Sequence, residues 1–237
     1  MNARPDPVGL DPVGPSHHFD ALVFDMDGVL LQSNHIKHDA MLALFDVDAQ
    51  KKVAIAQYNQ AHGGVPRKQK FAHIWTCILS RPYDAQVERQ LAGAYERALE
   101  EALSAAPLVE GVDAFIAGSD LPCFVCTAAP EDEASRVLAG RGLLAHFKVV
   151  YGGSTTKAQA LAQVASGVGR APERVLFFGD SKADLEAARS AAVRFVGVTR
   201  EKVDFLVGSV PTIFNFEDRK LLDLALHAAA TGSFPAK

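Results

Sequence analysis

Two carboxylates, two residues apart, close an apolar run near the start of the chain. Ala21-Leu22-Val23-Phe24 leads directly into Asp25-Met26-Asp27-Gly28. A short unbroken apolar run reads as a strand buried on both faces. Carboxylates at its end are costly to desolvate, and a positive group held between them, a metal ion foremost, offsets that cost. Three further clusters follow apolar runs in the same way: Thr127-Ala128-Ala129-Pro130, Gly152-Gly153-Ser154-Thr155-Thr156-Lys157, and Gly179-Asp180-Ser181-Lys182-Ala183-Asp184. Each is ordinary by itself, since Asp180 could cap a helix and Lys157 could be a solvated surface charge. If the four runs are strands of one parallel sheet, however, their carboxyl ends gather Asp25, Asp27, Asp180, Asp184, a hydroxyl and a lysine at the edge where such sheets bind ligands.

The elements needed to position these groups are legible in the hydrophobic pattern. From residue 107 onward, strand and helix signals alternate. Strands are expected at Pro122–Cys126, Lys148–Tyr151, Arg174–Gly179, Phe195–Val198 and Thr212–Phe214, after a first strand at Ala21–Asp25. Helices are expected at Asp113–Gly118, Glu131–Gly140, Lys157–Gly167, Ala183–Ala191 and Asp218–Ala229. This alternation predicts an α/β fold, a doubly wound, Rossmann-like parallel sheet covered on both faces. Residues 34–106 differ. Apolar residues recur there at three- and four-residue spacing in His35–Phe45, Ala49–Gln60, Arg67–Leu79 and Asp84–Ser104, which predicts an all-helical insertion. The stripe Val87, Leu91, Tyr95, Leu99 and Leu103 reads as core packing. The expected organisation is therefore a flexible leader over residues 1–18, a core domain over 19–33 and 107–237, and a helical domain over 34–106.

Composition narrows the function classes. The net charge of −4 gives no electrostatic reason to expect a nucleic acid or an anionic membrane as partner. No apolar run approaches the roughly 20 residues of a membrane span. The opening residues MNARPDPVGLDPVGPSHH lack the apolar segment of a signal peptide. Three cysteines, Cys77, Cys123 and Cys126, argue against a disulfide framework and for a reducing, cytoplasmic setting. Cys123 and Cys126 have the spacing of a redox or zinc pair, but both fall in an expected strand, so they read as buried core thiols.

Taken in order, these clusters resemble the motifs of the haloacid dehalogenase (HAD) superfamily of phosphohydrolases. Phe24-Asp25-Met26-Asp27-Gly28-Val29-Leu30 is similar to its first motif, Thr127 to the Ser/Thr of the second, and Lys157 in GGSTTKAQAL to the third. Gly179-Asp180-Ser181-Lys182-Ala183-Asp184-Leu185-Glu186-Ala187-Ala188 is similar to the fourth. The resemblance spans about residues 19 to 230 and is nearest to the phosphoglycolate phosphatase and β-phosphoglucomutase branch. That branch carries a helical cap after the first motif, where the helical insertion lies here.

The resemblance implies a Mg²⁺-dependent phosphatase acting on a small phosphorylated metabolite, such as phosphoglycolate or a sugar phosphate. Asp25 would attack phosphorus and form an aspartyl-phosphate. Asp27 would protonate the leaving alcohol and then activate water. The ion would be held by Asp25, the backbone carbonyl of Asp27 and Asp180, with Asp184 in or next to its shell. A hard cation with oxygen ligands suits that set. Thr127 and the Ala128 N–H would contact phosphate oxygens, and Lys157 would neutralise charge on the nucleophile and the phosphoryl group. In the cap, the loop His62-Gly63-Gly64-Val65-Pro66-Arg67-Lys68-Gln69-Lys70 supplies the specificity candidates, with Gly64, Arg67 and Lys70 as expected substrate contacts. Arg67 could grip an anionic group. His35, His38 and His73 read as surface or cap packing.

The alternatives are a phosphomutase of the β-phosphoglucomutase type, a phosphonate-cleaving relative using a cap lysine, and a non-catalytic binding protein on the same fold. Asp27 favours phosphoryl chemistry, because halide displacement needs no proton donor. Three positions depart from the family's usual pattern: Ala128 stands where a polar residue is common, Gln32 where an acidic one is usual, and Ala192 where glycine is usual. Oligomeric state is not legible.

Overall fold

The computed structural model describes residues 18–62, 65–169, 171–199 and 209–232. The expected leader, apart from His18, lies outside the described residues. The chain forms two compact units, one of residues up to Leu30 and from Leu108 onward, the other of Leu31–Pro107.

The first unit is built on a parallel sheet. Its strands among the described residues are β1 (Ala21–Phe24), β2 (Cys123–Cys126), β3 (Phe147–Tyr151), β4 (Val175–Gly179), β5 (Arg194–Val198) and β6 (Thr212–Ile213), in the order β3-β2-β1-β4-β5-β6. Strand β1, expected through Asp25, ends one residue earlier. Asp25 still donates its N–H to Phe178 O at 2.9 Å before the chain turns away. Central placement explains the unbroken apolar run, since all four β1 residues are buried and alternate between two covered faces. Ala21 and Val23 join Val175 and Phe177 in a cluster with Leu161 and Val164 of helix α7 (Lys157–Gly167) and Leu185 of α8 (Lys182–Ser190). Phe24 and Phe178, register partners on β1 and β4, turn to the other face and stack at 5.1 Å. There they meet Phe115 of α5 (Val112–Ala117) and Phe216. Helix α6 (Glu131–Gly140) packs by β3, and α9 (Arg219–Thr231) by β5 and β6. At the opposite end of the sheet from the reactive clusters, Arg174 grips Asp20 through two hydrogen bonds of 2.6 and 2.8 Å, joining the entries to β1 and β4.

The second unit is helical, comprising α1 (Asn34–Ala43), α2 (Ala49–Ala61), α3 (Arg67–His73) and α4 (Ala85–Ala105). Asp84 caps α4, accepting from Gln86 N and Val87 N, both at 2.8 Å. Along the α4 stripe Leu91, Tyr95, Leu99 and Leu103 are buried, and Val87 is partly so. The expected helix Arg67–Leu79 is not continuous. After His73 it widens into a π-helical turn, Ile74–Ile78, in which Leu79 N bonds Ile74 O. Ile74 is fully buried while Trp75 reaches out to donate to Pro82 O at 2.8 Å. Both anchors act on adjacent residues, and a 3.6-residue pattern carries no mark of the extra residue that such a turn accommodates. No helix of the described residues is long and apolar enough to cross a membrane.

Cys123 and Cys126 are buried and free, and Cys77 is exposed and free. Burial pushes the Cys123 thiol up to about 11 and the Cys126 thiol up to about 12, so both act as apolar side chains at neutral pH.

The ends of α6 and α8 explain one departure from the family pattern. Helix α6 closes with Gly142 at φ 71°, its N–H on Ala139 O and the next N–H, from Leu143, on Leu138 O. Helix α8 closes in the same way, but with Ala192 at φ 55°, bonded to Arg189 O, and Val193 N on Ala188 O. This left-handed closure suits glycine and strains a Cβ. Ala192→Gly is therefore expected to stabilise the fold by about 0.5–1 kcal/mol net of the greater chain entropy of glycine when unfolded. Urea unfolding measures this.

Candidate active site

The carboxyl ends of β1, β2 and β4 lie side by side, because their registers align Phe24 with Val125 and with Phe178. The residues leaving these strands therefore arrive together. Carboxylate oxygens of Asp25, Asp180 and Asp184 lie within 4.8 Å of one another. Asp25 is 4% exposed and Asp184 is wholly buried. Lys157, the first residue of α7, brings its ammonium to 2.9 Å from Asp25 Oδ2 and also bonds Asp184 Oδ1. Its position is fixed by the helix start, where Thr156 and Gln159 form a reciprocal cap.

Each carboxylate is held by the backbone around it. Asp25 Oδ1 accepts from Met26 N at 2.8 Å. Asp184 Oδ2 accepts from Ser181 Oγ at 2.6 Å, Ser181 N at 3.0 Å and Asp180 N at 3.2 Å, so it clamps the loop that carries Asp180. Gly179 makes that clamp possible, since a Cβ there would stand 2.5 Å from Asp184 Cβ and 2.8 Å from the Phe195 ring. Ser181 was not singled out from the sequence. Its signal was its place between Asp180 and Asp184 as a hydroxyl helix cap.

Electrostatics follow from burial and crowding. Burial pushes Asp25 well above the usual carboxylate range; Lys157 pulls it back, while Asp184, Asp180 and Asp27 push it further up. Burial works against the Lys157 charge, but Asp25 and Asp184 overcome it and hold the ammonium well above the usual lysine range. The cluster is thus richer in negative charge than one lysine can balance. Its hard oxygen donors and charge fit a divalent cation.

The other expected residues divide. Thr127 joins this strand-end region. It is 1% exposed, its Oγ1 accepts from Ala129 N at 3.1 Å, and its hydroxyl proton remains available to donate. Ala128 beside it is exposed. Asp27 is half-buried and is not a member of the carboxylate cluster, because the chain has left the ladder and turns at Gly28, φ 77°. Gly64 lies outside the described residues. Arg67 and Lys70 lie in the helical unit. Arg67 stands over the Tyr95 ring at 5.8 Å and 3.8 Å from Glu96. Lys70 is buried, with its ammonium on Asn59 Oδ1. His62 and His73 stack on Tyr58 at 4.2 and 4.0 Å, and His38 bonds Asn59, so these three histidines pack within the helical unit.

A parallel sheet with an acidic cluster and a buried lysine at its carboxyl edge defines an α/β enzyme scaffold. Comparison with known proteins assigns it. The model of the haloacid dehalogenase-like hydrolases matches residues 19–192. The chain belongs to that family, as an enzyme of the hydrolase class. It is 24% identical over 191 residues to a phosphorylated carbohydrates phosphatase of Thermotoga maritima, covering 78% of this chain and 88% of that one. A phosphoglycolate phosphatase of Shigella boydii is 30% identical over 110 residues, 44% of each chain. Both relatives are named as phosphatases. Among solved structures, YfnB of Bacillus subtilis, a candidate HAD-hydrolase solved bound to magnesium, superposes with a TM-score of 0.68 at 18% identity, covering 87% of this chain and 99% of that one.

Proposed function

We propose that the chain is a Mg²⁺-dependent phosphatase that hydrolyses a small phosphomonoester, of the phosphorylated-carbohydrate or phosphoglycolate type, through an aspartyl-phosphate on Asp25. The observation that carries this reading is the meeting of Asp25, Asp180, Asp184 and Lys157 at one sheet edge. Asp25, Asp180 and the Asp27 carbonyl would hold the ion, with Asp184 beside them because its oxygens already serve Lys157 and the 180–181 loop. When bound, Mg²⁺ supplies the positive charge that lets a carboxylate approach phosphate oxygens.

The remaining work falls to the chain's own groups. Met26 N–H and Lys157 orient the Asp25 carboxylate from its two oxygens. Asp25 attacks phosphorus as the ester P–O bond breaks, and Asp27 gives its proton to the departing alkoxide. Asp27 then takes a proton from the water that attacks phosphorus, releasing phosphate and regenerating Asp25. Thr127 Oγ1–H donates to a phosphoryl oxygen, with the Ala128 N–H as a second donor, and Lys157 balances the charge that builds there. Arg67, Lys70 and Gly64 of the helical unit, which we read as the cap, contact the leaving portion.

A phosphate-release screen over phosphorylated metabolites tests this. Release is expected with Mg²⁺, loss with EDTA, and recovery on re-adding Mg²⁺. A lack of release from the panel and from p-nitrophenyl phosphate in Mg²⁺ contradicts the reading. β-Glucose 1-phosphate in the panel is expected to give phosphate; conversion to the 6-phosphate instead would make the protein a mutase.

A further inference from the structure

Two glycines follow β3, and neither has a part in the chemistry proposed for Asp25. Gly152 is buried and Gly153 exposed. Neither has the positive φ that favours glycine, so what glycine contributes here is room. A Cβ on Gly152 would stand 2.3 Å from the N atom of Glu131, the first residue of α6. A Cβ on Gly153 would stand 2.7 Å from Ala128 O and 3.4 Å from Ala128 C. These obstacles are backbone atoms, which cannot turn aside as the end of a long side chain can. The loop leaving β3 therefore lies directly on the loop leaving β2. Hydrogen bonds join the two: Thr127 N donates to Tyr151 O at 2.9 Å, and Gly153 N donates to Ala129 O at 2.8 Å.

This contact bears on the residues expected to meet phosphate. Ala128 O and the Ala129 N–H belong to one rigid peptide plane. That N–H donates to Thr127 Oγ1 at 3.1 Å, and Thr127 is buried. With one lone pair so engaged, the hydroxyl proton is left to face elsewhere. Gly153 holds this turn from two sides: its N–H bonds Ala129 O, and its bare Cα closes on Ala128 O. A Cβ at residue 153 displaces Ala128 O, swings the peptide plane, and draws the Ala129 N–H off Thr127 Oγ1.

We infer that Gly153 is a positioning residue: by closing on Ala128 and Ala129 it fixes the Thr127 hydroxyl and the Ala128 N–H as paired donors to a phosphoryl group. This rests on the reading of Thr127 and Ala128 as phosphoryl contacts. The probe is inorganic phosphate, whose Kd in Mg²⁺ is measured by calorimetry on the full chain. Gly153→Ala is expected to weaken phosphate about 10-fold, the size of a charge-assisted hydrogen bond, while circular dichroism and Tm report a folded chain. Gly167→Ala, in α7, is the matched control, because nothing lies within 4 Å of its added Cβ, and it is expected to leave Kd unchanged. The route through Thr127 is read from a double-mutant cycle. Thr127→Val has already lost the hydroxyl, so adding Gly153→Ala to it is expected to weaken phosphate by less than about 3-fold. A merely structural Gly153 would add its full cost in both backgrounds. Amide hydrogen exchange on the unsubstituted protein needs no variant: the Ala129 and Gly153 N–H groups are expected to exchange at least about 10-fold more slowly than in an unstructured chain. No phosphate binding by the parent, unchanged Kd in folded Gly153→Ala, additive effects in the cycle, or unprotected exchange of either amide overturns the inference. Ester hydrolysis is measured separately. A parent that binds phosphate in a Gly153-dependent way, yet releases none from the ester panel, fails the phosphatase reading and not this one.

Discussion

Asp25→Asn is expected to reduce Mg²⁺-dependent phosphate release by about 10⁴-fold or more, the scale of removing a nucleophile, while the protein stays folded. The amide keeps the shape of the side chain and an oxygen for the Met26 N–H, which now meets Asp25 Oδ1 at 2.8 Å. It loses the negative charge that, in the proposed mechanism, attacks phosphorus. Folding should not suffer, because Asp25 is a strained charge in the metal-free protein: burial, Asp184, Asp180 and Asp27 all work against it, with Lys157 alone among the named neighbours in its favour. The metal-free variant is accordingly expected to melt at or above the temperature of the parent. Phosphate release and thermal unfolding, measured on the same preparation, separate the two effects. Mg²⁺-dependent turnover retained in a folded variant would remove Asp25 from its role.

Lys157→Met has the next largest effect. Among the described residues the ammonium is the one cation bonded to both Asp25 and Asp184. Its loss leaves those carboxylates and the incoming phosphate to repel one another, and kcat/KM is expected to fall roughly 10²- to 10³-fold. The sign of the pH effect follows from the same contact. Lys157 pulls the Asp25 carboxyl down against burial. Without it the carboxyl rises further and holds its proton to higher pH. Because the attacking form is deprotonated, the acidic limb of the kcat/KM profile moves to higher pH. Profiles at saturating Mg²⁺ are the measurement, and an acidic limb that stays in place would show that Lys157 does not act through Asp25.

Much of the core was legible because buried parallel strands leave a strong trace. Ala21–Phe24 and Val175–Gly179 are unbroken apolar runs since both faces of each strand are covered. The reactive residues follow strand ends, so reading what comes after each run was enough to bring Asp25, Asp180, Asp184, Lys157 and Thr127 into one region. What escaped depends on side-chain direction or on single backbone angles. The π-helical turn at Ile74–Ile78 leaves the apolar spacing of its helix nearly unchanged. Ala192 drew notice as a departure from a family pattern, but its left-handed φ is a property of the α8 ending, not of alanine. The Lys70–Asn59–His38 relay joins residues 11 and 21 positions apart on three helices, and periodicity places each on a face without saying which polar atoms meet. Asp27 differs again. The resemblance gave it acid/base work with only its backbone carbonyl toward the ion, and its side chain, next to the turn at Gly28, is not in the carboxylate cluster found among the described residues.

The central claim, that Asp25 carries the phosphoryl group, is tested most directly by trapping. The protein is mixed with a phosphorus-labelled substrate in Mg²⁺, quenched in acid within one turnover, reduced with borohydride and digested. The account predicts label that is lost to hydroxylamine, and conversion of Asp25 to homoserine in the peptide that contains it. Turnover that continues with Asp25 unmodified, or with the label on another residue, contradicts it.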